Sequence, residues 1–138
     1  MKYLGLDLGS RTLGMALSDG SGSIASSYQI IRHNEEYNRL VDEVAKVVKE
    51  KHIEKIVLGF PKNMDNSIGT KGELSLEFKK KLEDRLKIEV VLQDERLSTR
   101  QAEALLIANN TSRKKRKKVI DALAATIILQ SYLDRKDR

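Results

Sequence analysis

A chain of 138 residues, 40% hydrophobic and 33% charged, has the length and balance of one folded domain spanning 1–138, and excludes both a disordered chain and a pair of domains. It carries no cysteine, which removes disulfides and thiolate zinc sites and suits a reducing compartment. No stretch approaches the roughly 20 apolar residues of a membrane span, and Met1 to Gly5 enters a strand-like segment without a signal-peptide plan, so a cytoplasmic location away from membranes is expected.

Lys2 to Gly9 alternates and is rich in leucine, which predicts a first strand, and Thr12 to Asp19 predicts a second after a short Ser10-Arg11 connection. Gly20-Ser21-Gly22 is turn chemistry, leading into a third strand over Ile24 to His33. Tight turns between consecutive strands imply an antiparallel meander. The period then changes. From Glu35 to Lys51, Leu40, Val41, Val44, Val47 and Val48 fall at helical spacing. Lys55 to Phe60 reads as a short buried strand closed by Pro61, and the loop from Pro61 to Gly72 is rich in Asn, Ser and Gly. A charged amphipathic helix follows over Glu73 to Leu86, then a buried strand over Ile88 to Gln93. Ser98 with Gln101 three residues on resembles a capping box, opening a helix that ends near Asn109-Asn110. After a basic loop, Val119 to Leu133 is the last helix, and the remaining residues are expected to fray. The order β-β-β-α-β-α-β-α-α predicts an α/β fold with one mixed five-stranded sheet, antiparallel in its first half and parallel in its second, flanked by helices.

The net charge of +6 comes from 26 basic and 20 acidic residues. Arg113, Lys114, Lys115, Arg116, Lys117 and Lys118 are consecutive. Without these six, 20 basic residues face 20 acidic ones, so the whole excess is focused in one run. A solvated face normally interleaves acids to limit self-repulsion, and this run has none. It reads as a phosphate-binding patch rather than a solubilising loop. Aromatic residues make up only 4% of the chain, which argues against a platform for stacking unpaired bases.

Three places bring carboxylates where chemistry could use them. Asp7 lies inside the first strand, where an acid among apolar residues needs a metal, a basic partner such as Arg11, or solvent at the strand end. Asp94 and Glu95 follow an apolar strand, at the end where open α/β sheets place ligand-binding groups. Alternation sets them on opposite faces, so sequence does not choose between them. Asp121 falls in the first turn of the final helix, where the dipole alone would favour an acid, but Ala124 and Ala125 share its side and let the helix approach a sheet closely. Three clustered carboxylates repel one another unless a cation is present. Oxygen-only ligands favour Mg²⁺ or Mn²⁺, and such a site suits attack of water on a phosphodiester without a histidine base. His33 and His52, at a strand end and a helix end, are weak candidates for catalysis.

Four segments carry a family resemblance. Gly5-Leu6-Asp7-Leu8-Gly9-Ser10-Arg11-Thr12-Leu13-Gly14, running on to Asp19, resembles the opening motif of the YqgF/RuvX family of pre-16S rRNA nucleases. Val57-Leu58-Gly59-Phe60-Pro61-Lys62-Asn63-Met64-Asp65 is similar to its second motif, and Asp94-Glu95-Arg96-Leu97-Ser98-Thr99 to its third. Lys118-Val119-Ile120-Asp121-Ala122-Leu123-Ala124-Ala125 and the residues up to Leu133 resemble its fourth. The match covers essentially the whole chain in order.

The resemblance implies an RNase H-like fold and a metal-dependent nuclease that processes the 5′ end of pre-16S ribosomal RNA during ribosome biogenesis. It implies structured RNA as partner, in the setting of pre-ribosomal particles. It also implies kinship with RuvC-type Holliday junction resolvases, for which the partner is branched DNA. Carried onto this chain, Asp7 is the central catalytic metal ligand, Glu95 the second and Asp121 the third, with Asp94 in reserve. RuvC-type sites use a fourth acid, and no counterpart stands out here. Lys62 and Asn63 in the loop, Arg96, and the six residues Arg113 to Lys118 are expected to contact nucleic acid. A junction resolvase and a non-catalytic RNA-binding assembly factor are the competing functions, and oligomeric state is not legible.

Overall fold

Residues 1–61, 69–94 and 113–136 are described by the computed structural model, with backbone alone over 113–122. In chain order the elements are β1 (Tyr3–Leu8), β2 (Thr12–Ser18), β3 (Ala25–Arg32), α1 (Tyr37–Lys51), β4 (Lys55–Phe60), α2 (Thr70–Leu86), β5 (Val90–Asp94) and α3 (Arg113–Lys136). The five strands form one sheet in the order β3-β2-β1-β4-β5. β1, β2 and β3 pair antiparallel, whereas β4 runs parallel to β1 and β5 parallel to β4. The mixed sheet expected from the sequence is therefore present. Both parallel neighbours are reached through a helix, as parallel pairing requires.

The period-2 alternation of the strands divides the core into two layers. On one face Leu4, Leu6, Leu13, Met15, Ile56, Leu58 and Val90 pack with Leu40, Val44 and Val47 of α1 and Phe78 and Leu82 of α2. On the other, Tyr3, Ala16 and Val57 pack with Ala125, Ile128, Leu129 and Leu133 of α3. The second face is floored by small residues, and α3 lies close to it. The Gln130 side chain ties the helix to the sheet's edge as well: its Oε1 accepts from the Ala25 N–H at 2.8 Å and its Nε2 donates to the Ser23 carbonyl at 2.9 Å.

Local chemistry sets the turns. The Asp19 carboxylate, between β2 and β3, accepts from the Ser21 hydroxyl at 2.7 Å and from the Ser23 and Ile24 amides at 2.8 and 3.1 Å. These donors, the Ser21 hydroxyl first, hold its pKa down at about 2. α1 and α2 end in left-handed residues, His52 and Lys87, at φ 56° and 59°.

Most boundaries shift by a residue or two, β5 running Val90–Asp94 so that Asp94 lies inside it, and three differ by more. α2 starts at Thr70, ahead of Glu73, because Gly69 leaves extended backbone and its carbonyl takes the Glu73 amide. α3 continues to Lys136 instead of fraying after Leu133. Gln130 donates to the Asp134 carboxylate at 2.9 Å, and the Lys136 ammonium sits 5.7 Å from the centroid of the Tyr3 ring. The larger correction concerns the basic run. Arg113 to Lys118 is not a loop but the opening of α3. Lys and Arg are good helix formers, and a helix already anchored by Ala125 to Leu133 extends without a new nucleation cost. The helix expected over Ser98 to Asn110 lies outside the described residues. Among the described residues no helix is long and apolar enough to cross a membrane.

Candidate functional site

Asp7 is the fifth of the six residues of β1, and its surroundings follow from sheet register. In β1, Tyr3, Gly5 and Asp7 share one face, and Tyr3 and Gly5 both meet α3. Asp7 therefore belongs to the α3 face, at the carboxyl end of β1, where burial falls from complete to partial. Its neighbour on β2 is Gly14. On the other side β1 and β4 pair up to Leu6 and Leu58, so one further step sets Asp7 beside Gly59. Both glycines are buried. The two register neighbours thus bring no side chain alongside the carboxylate.

The helix arrives at the same place. The Tyr3 ring lies 5.8 Å from that of Tyr132, centroid to centroid, and two residues on, Gly5 lies beneath Ala125 and Leu129. Each step of two along β1, about 6.6 Å, thus moves one to two turns towards the start of α3, at 5.4 Å per turn. The next step pairs Asp7 with the turn before Ala125, which is where the backbone of Asp121 lies. The path of the helix thus leads from Gly5 towards Asp7 as it runs back to the turn that bears Asp121. The structure carries the basic residues Arg113 to Lys118 to the start of the same helix, one to two turns beyond Asp121.

β5 separates Asp94 from this arrangement. Val90 and Leu92 pack on the α1–α2 face, and Val91 on the α3 face. By the same alternation Asp94, paired in register with Phe60, faces the α1–α2 side, away from Asp7. Gln93, paired with Gly59, takes the α3 face. Glu95, Arg96, Lys62 and Asn63 lie outside the described residues.

Two residues that the sequence did not assign to the site shape the ground around Asp7. His33, a weak candidate for catalysis, is 5% exposed and fixes the loop after β1. Its Nε2 lies 3.0 Å from the Gly9 carbonyl, which can only accept, and its Nδ1 accepts from the Glu35 amide at 3.0 Å. The ring is therefore the neutral Nε2–H tautomer. The Gly9 amide donates to the Thr12 carbonyl at 2.8 Å, closing the tight connection to β2. Arg11, the basic residue closest in sequence to Asp7, donates instead to the Asn34 side chain at 2.9 Å. Only the spacing of an isolated His after a strand could have flagged this brace. The second is Gln93, whose signal was a polar residue closing an apolar run. It is 8% exposed, and its Oε1 is buried with no hydrogen-bond partner among the described residues.

Among the described residues, no group of three potential ligands is assembled that could hold a metal ion. The donor chemistry at hand is oxygen only, from Asp7 and the Gln93 carboxamide, which fits a hard divalent cation such as Mg²⁺ or Mn²⁺ better than zinc.

A family model described as RuvX, Holliday junction resolvase, matches residues 1–135. A Bacillus cereus protein named "Putative pre-16S rRNA nuclease" is 48% identical over 137 residues, 99% of this chain and 100% of the relative. A Staphylococcus epidermidis protein of the same name is 49% identical over 135 residues, covering 96% and 95%. The fold is shared with Thermus thermophilus RuvC in complex with a Holliday junction substrate, at a TM-score of 0.62 and 16% identity, over 99% of this chain and 96% of that one. The sheet order, the three helices among the described residues and this likeness make the architecture RNase H-like. On a match across nearly its whole length, the chain belongs to the RuvX family, a family of nucleases that hydrolyse phosphodiester bonds.

Proposed function

We propose that the chain is a single-domain, metal-dependent nuclease that cuts structured RNA in the cytoplasm, processing the 5′ end of pre-16S ribosomal RNA during ribosome biogenesis, with pre-ribosomal particles as its setting. The observation that supports this reading is Asp7 at the open end of the central strand, with α3 packed over Gly5 of the same strand and running back from there to the turn that bears Asp121. Catalytic roles are assigned to Asp7, Glu95 and Asp121. Asp94 faces away from Asp7, which favours Glu95, the next residue, as the second metal ligand.

Strand β1 holds Asp7 rigidly, because Leu4 and Leu6 are fully buried on the opposite face. A rigid carboxylate costs little reorganisation when charge develops beside it. The neutral His33 holds Gly9 and so the shape of the loop that follows. Arg113 to Lys118 supply positive charge to hold substrate phosphates, with Arg96, Lys62 and Asn63 as further contacts. When bound, Mg²⁺ or Mn²⁺ supplies charge neutralisation at the phosphate and lowers the pKa of water.

A second reading, a resolvase acting on branched DNA, is favoured by the family model's description and by the fold shared with junction-bound RuvC. One experiment separates the two. Labelled pre-16S 5′-leader RNA and a four-way DNA junction are incubated with wild type or Asp7→Asn, in Mg²⁺, Mn²⁺ or EDTA. The expected result is cleavage of the RNA alone, abolished by EDTA and reduced by about a thousandfold or more in the variant, since several kcal/mol of stabilisation is withdrawn. Cleavage of the junction alone would establish the resolvase. Tight RNA binding with no cleavage of either substrate would make the chain an assembly factor.

A further inference from the structure

The polar group that the fold leaves least explained is the Gln93 carboxamide. Gln93 is 8% exposed, and its buried Oε1 has no partner among the described residues. A buried acceptor left unpaired is costly, and an apolar residue of the same size would avoid that cost. The strand itself does not require it. Val90, Val91 and Leu92 before it satisfy the core, and the ladder to β4 uses backbone only.

Its position supplies the reason. Gln93 pairs with Gly59, and Gly59 stands in the register position beside Asp7. Asp7, Gly59 and Gln93 thus form one row across β1, β4 and β5 on the α3 face, and the middle member has no side chain. The Cα atoms of Asp7 and Gln93 are about 9–10 Å apart, two strand spacings. One ion bound directly by both, at about 2.1 Å each, would need their oxygens within about 4 Å. Both side chains would have to lean fully towards each other. Interposing one water, at a hydrogen-bond length of about 2.8 Å, extends the permitted span to about 7 Å and removes that demand. Mg²⁺ ordinarily keeps several waters and dehydrates reluctantly.

We propose that Gln93 is a positioning residue of the nuclease site: its Oε1 accepts a hydrogen bond from a water in the hydration shell of a divalent cation held at Asp7, across the gap left by Gly59. The inference rests on the metal-dependent reading given above and extends it to a residue of no acidic character. It gives the site a neutral oxygen on the β5 side of Asp7. A neutral acceptor orients the water without adding to the repulsion among the carboxylates.

The test is Mn²⁺ binding to the whole chain without nucleic acid, by titration calorimetry or by the EPR signal of free Mn²⁺, in wild type, Asp7→Asn, Gln93→Leu and Gln93→Glu. Gln93→Leu is expected to weaken binding by about 10- to 100-fold while its thermal midpoint stays level or rises, because an unpaired buried acceptor has been removed. Gln93→Glu, which keeps an oxygen at that position, is expected to bind at least as tightly as wild type. Gln93→Met, unbranched and lacking the carbonyl, repeats the measurement should leucine disturb the packing. Mn²⁺ binding lost in Asp7→Asn but unaltered in Gln93→Leu and Gln93→Met would overturn the role of Gln93 alone. Absence of any Asp7-dependent Mn²⁺ binding in wild type would overturn the metal-dependent reading and this inference with it.

Discussion

Gly5 of β1 lies directly beneath Leu129 of α3: a Cβ on the glycine would come within 2.7 Å of the Leu129 Cβ and 3.1 Å of the Ala125 carbonyl oxygen. The glycine is therefore required by the close approach of helix to sheet and not by its own backbone angles. The same approach sets how closely α3 lies on β1, the strand that carries Asp7 two residues further along. Gly5→Ala should lift or slide α3 and destabilise the fold by about 1–3 kcal/mol, the usual cost of overpacking. Cleavage should fall by more than the loss of folded protein accounts for. Urea unfolding beside kcat measured on the folded fraction would check both, and unchanged kcat would mean that the helix packing does not govern the site.

His33 is the brace of the loop after Asp7, bonding Gly9 and Glu35 through its two ring nitrogens. His33→Phe preserves the bulk and removes both bonds, leaving a carbonyl and an amide unpaired. The expected cost is about 1–3 kcal/mol, with kcat reduced and substrate affinity little changed. Equilibrium urea midpoints and a kcat-against-KM comparison would test it. A variant as stable and active as wild type would show that the loop holds its shape without the histidine.

Asp19 provides a pH signature. Its folded pKa is depressed to about 2 by hydrogen bonds from Ser21, Ser23 and Ile24. A depressed carboxylate contributes stability above its unfolded value, near about 3.9, and that contribution is lost as pH falls through the folded value. NMR of the Asp19 carboxyl carbon should therefore give a midpoint of about 2. The wild type should lose stability relative to Asp19→Asn as pH falls from about 4 to about 2. A midpoint at the unfolded value would mean that the turn is open in solution.

The basic start of α3 should reveal itself through salt. Engaging six phosphates predicts a slope of about −5 on log axes, or about a thousandfold weaker binding at 200 mM salt than at 50 mM. Replacing Lys114, Lys115, Lys117 and Lys118 by Gln keeps helix propensity and should make the slope shallower by about one for each phosphate that the variant no longer engages. An unchanged slope in that variant would assign RNA binding to another surface.

The sequence by itself determined a great deal of this protein. Strand alternation in Lys2 to Asp19 and the helical spacing of Leu40, Val41, Val44 and Val47 are local signals, and the elements they predict are present. The change from tight turns to helical connections was enough to predict where the sheet turns from antiparallel to parallel. The isolated basic run was legible too, but its conformation was not. Lysine-rich segments suit loops and helices alike, and the anchoring of α3 by residues further along the helix decided for helix. Only the tertiary structure separated Asp94 from Asp7. Alternation says that Asp94 and Glu95 differ in face, but which face meets α3 depends on how Val91 and the residues of the final helix pack. The same holds for the glycines. Gly5, Gly14 and Gly59 are ordinary in sequence, and become an approach for a helix and a cleared row around one carboxylate only when register sets three strands side by side. Periodicity is written along the chain because burial acts on each side chain where it stands. Juxtaposition across strands depends on which distant residues share a row, and that is fixed when the sheet is assembled.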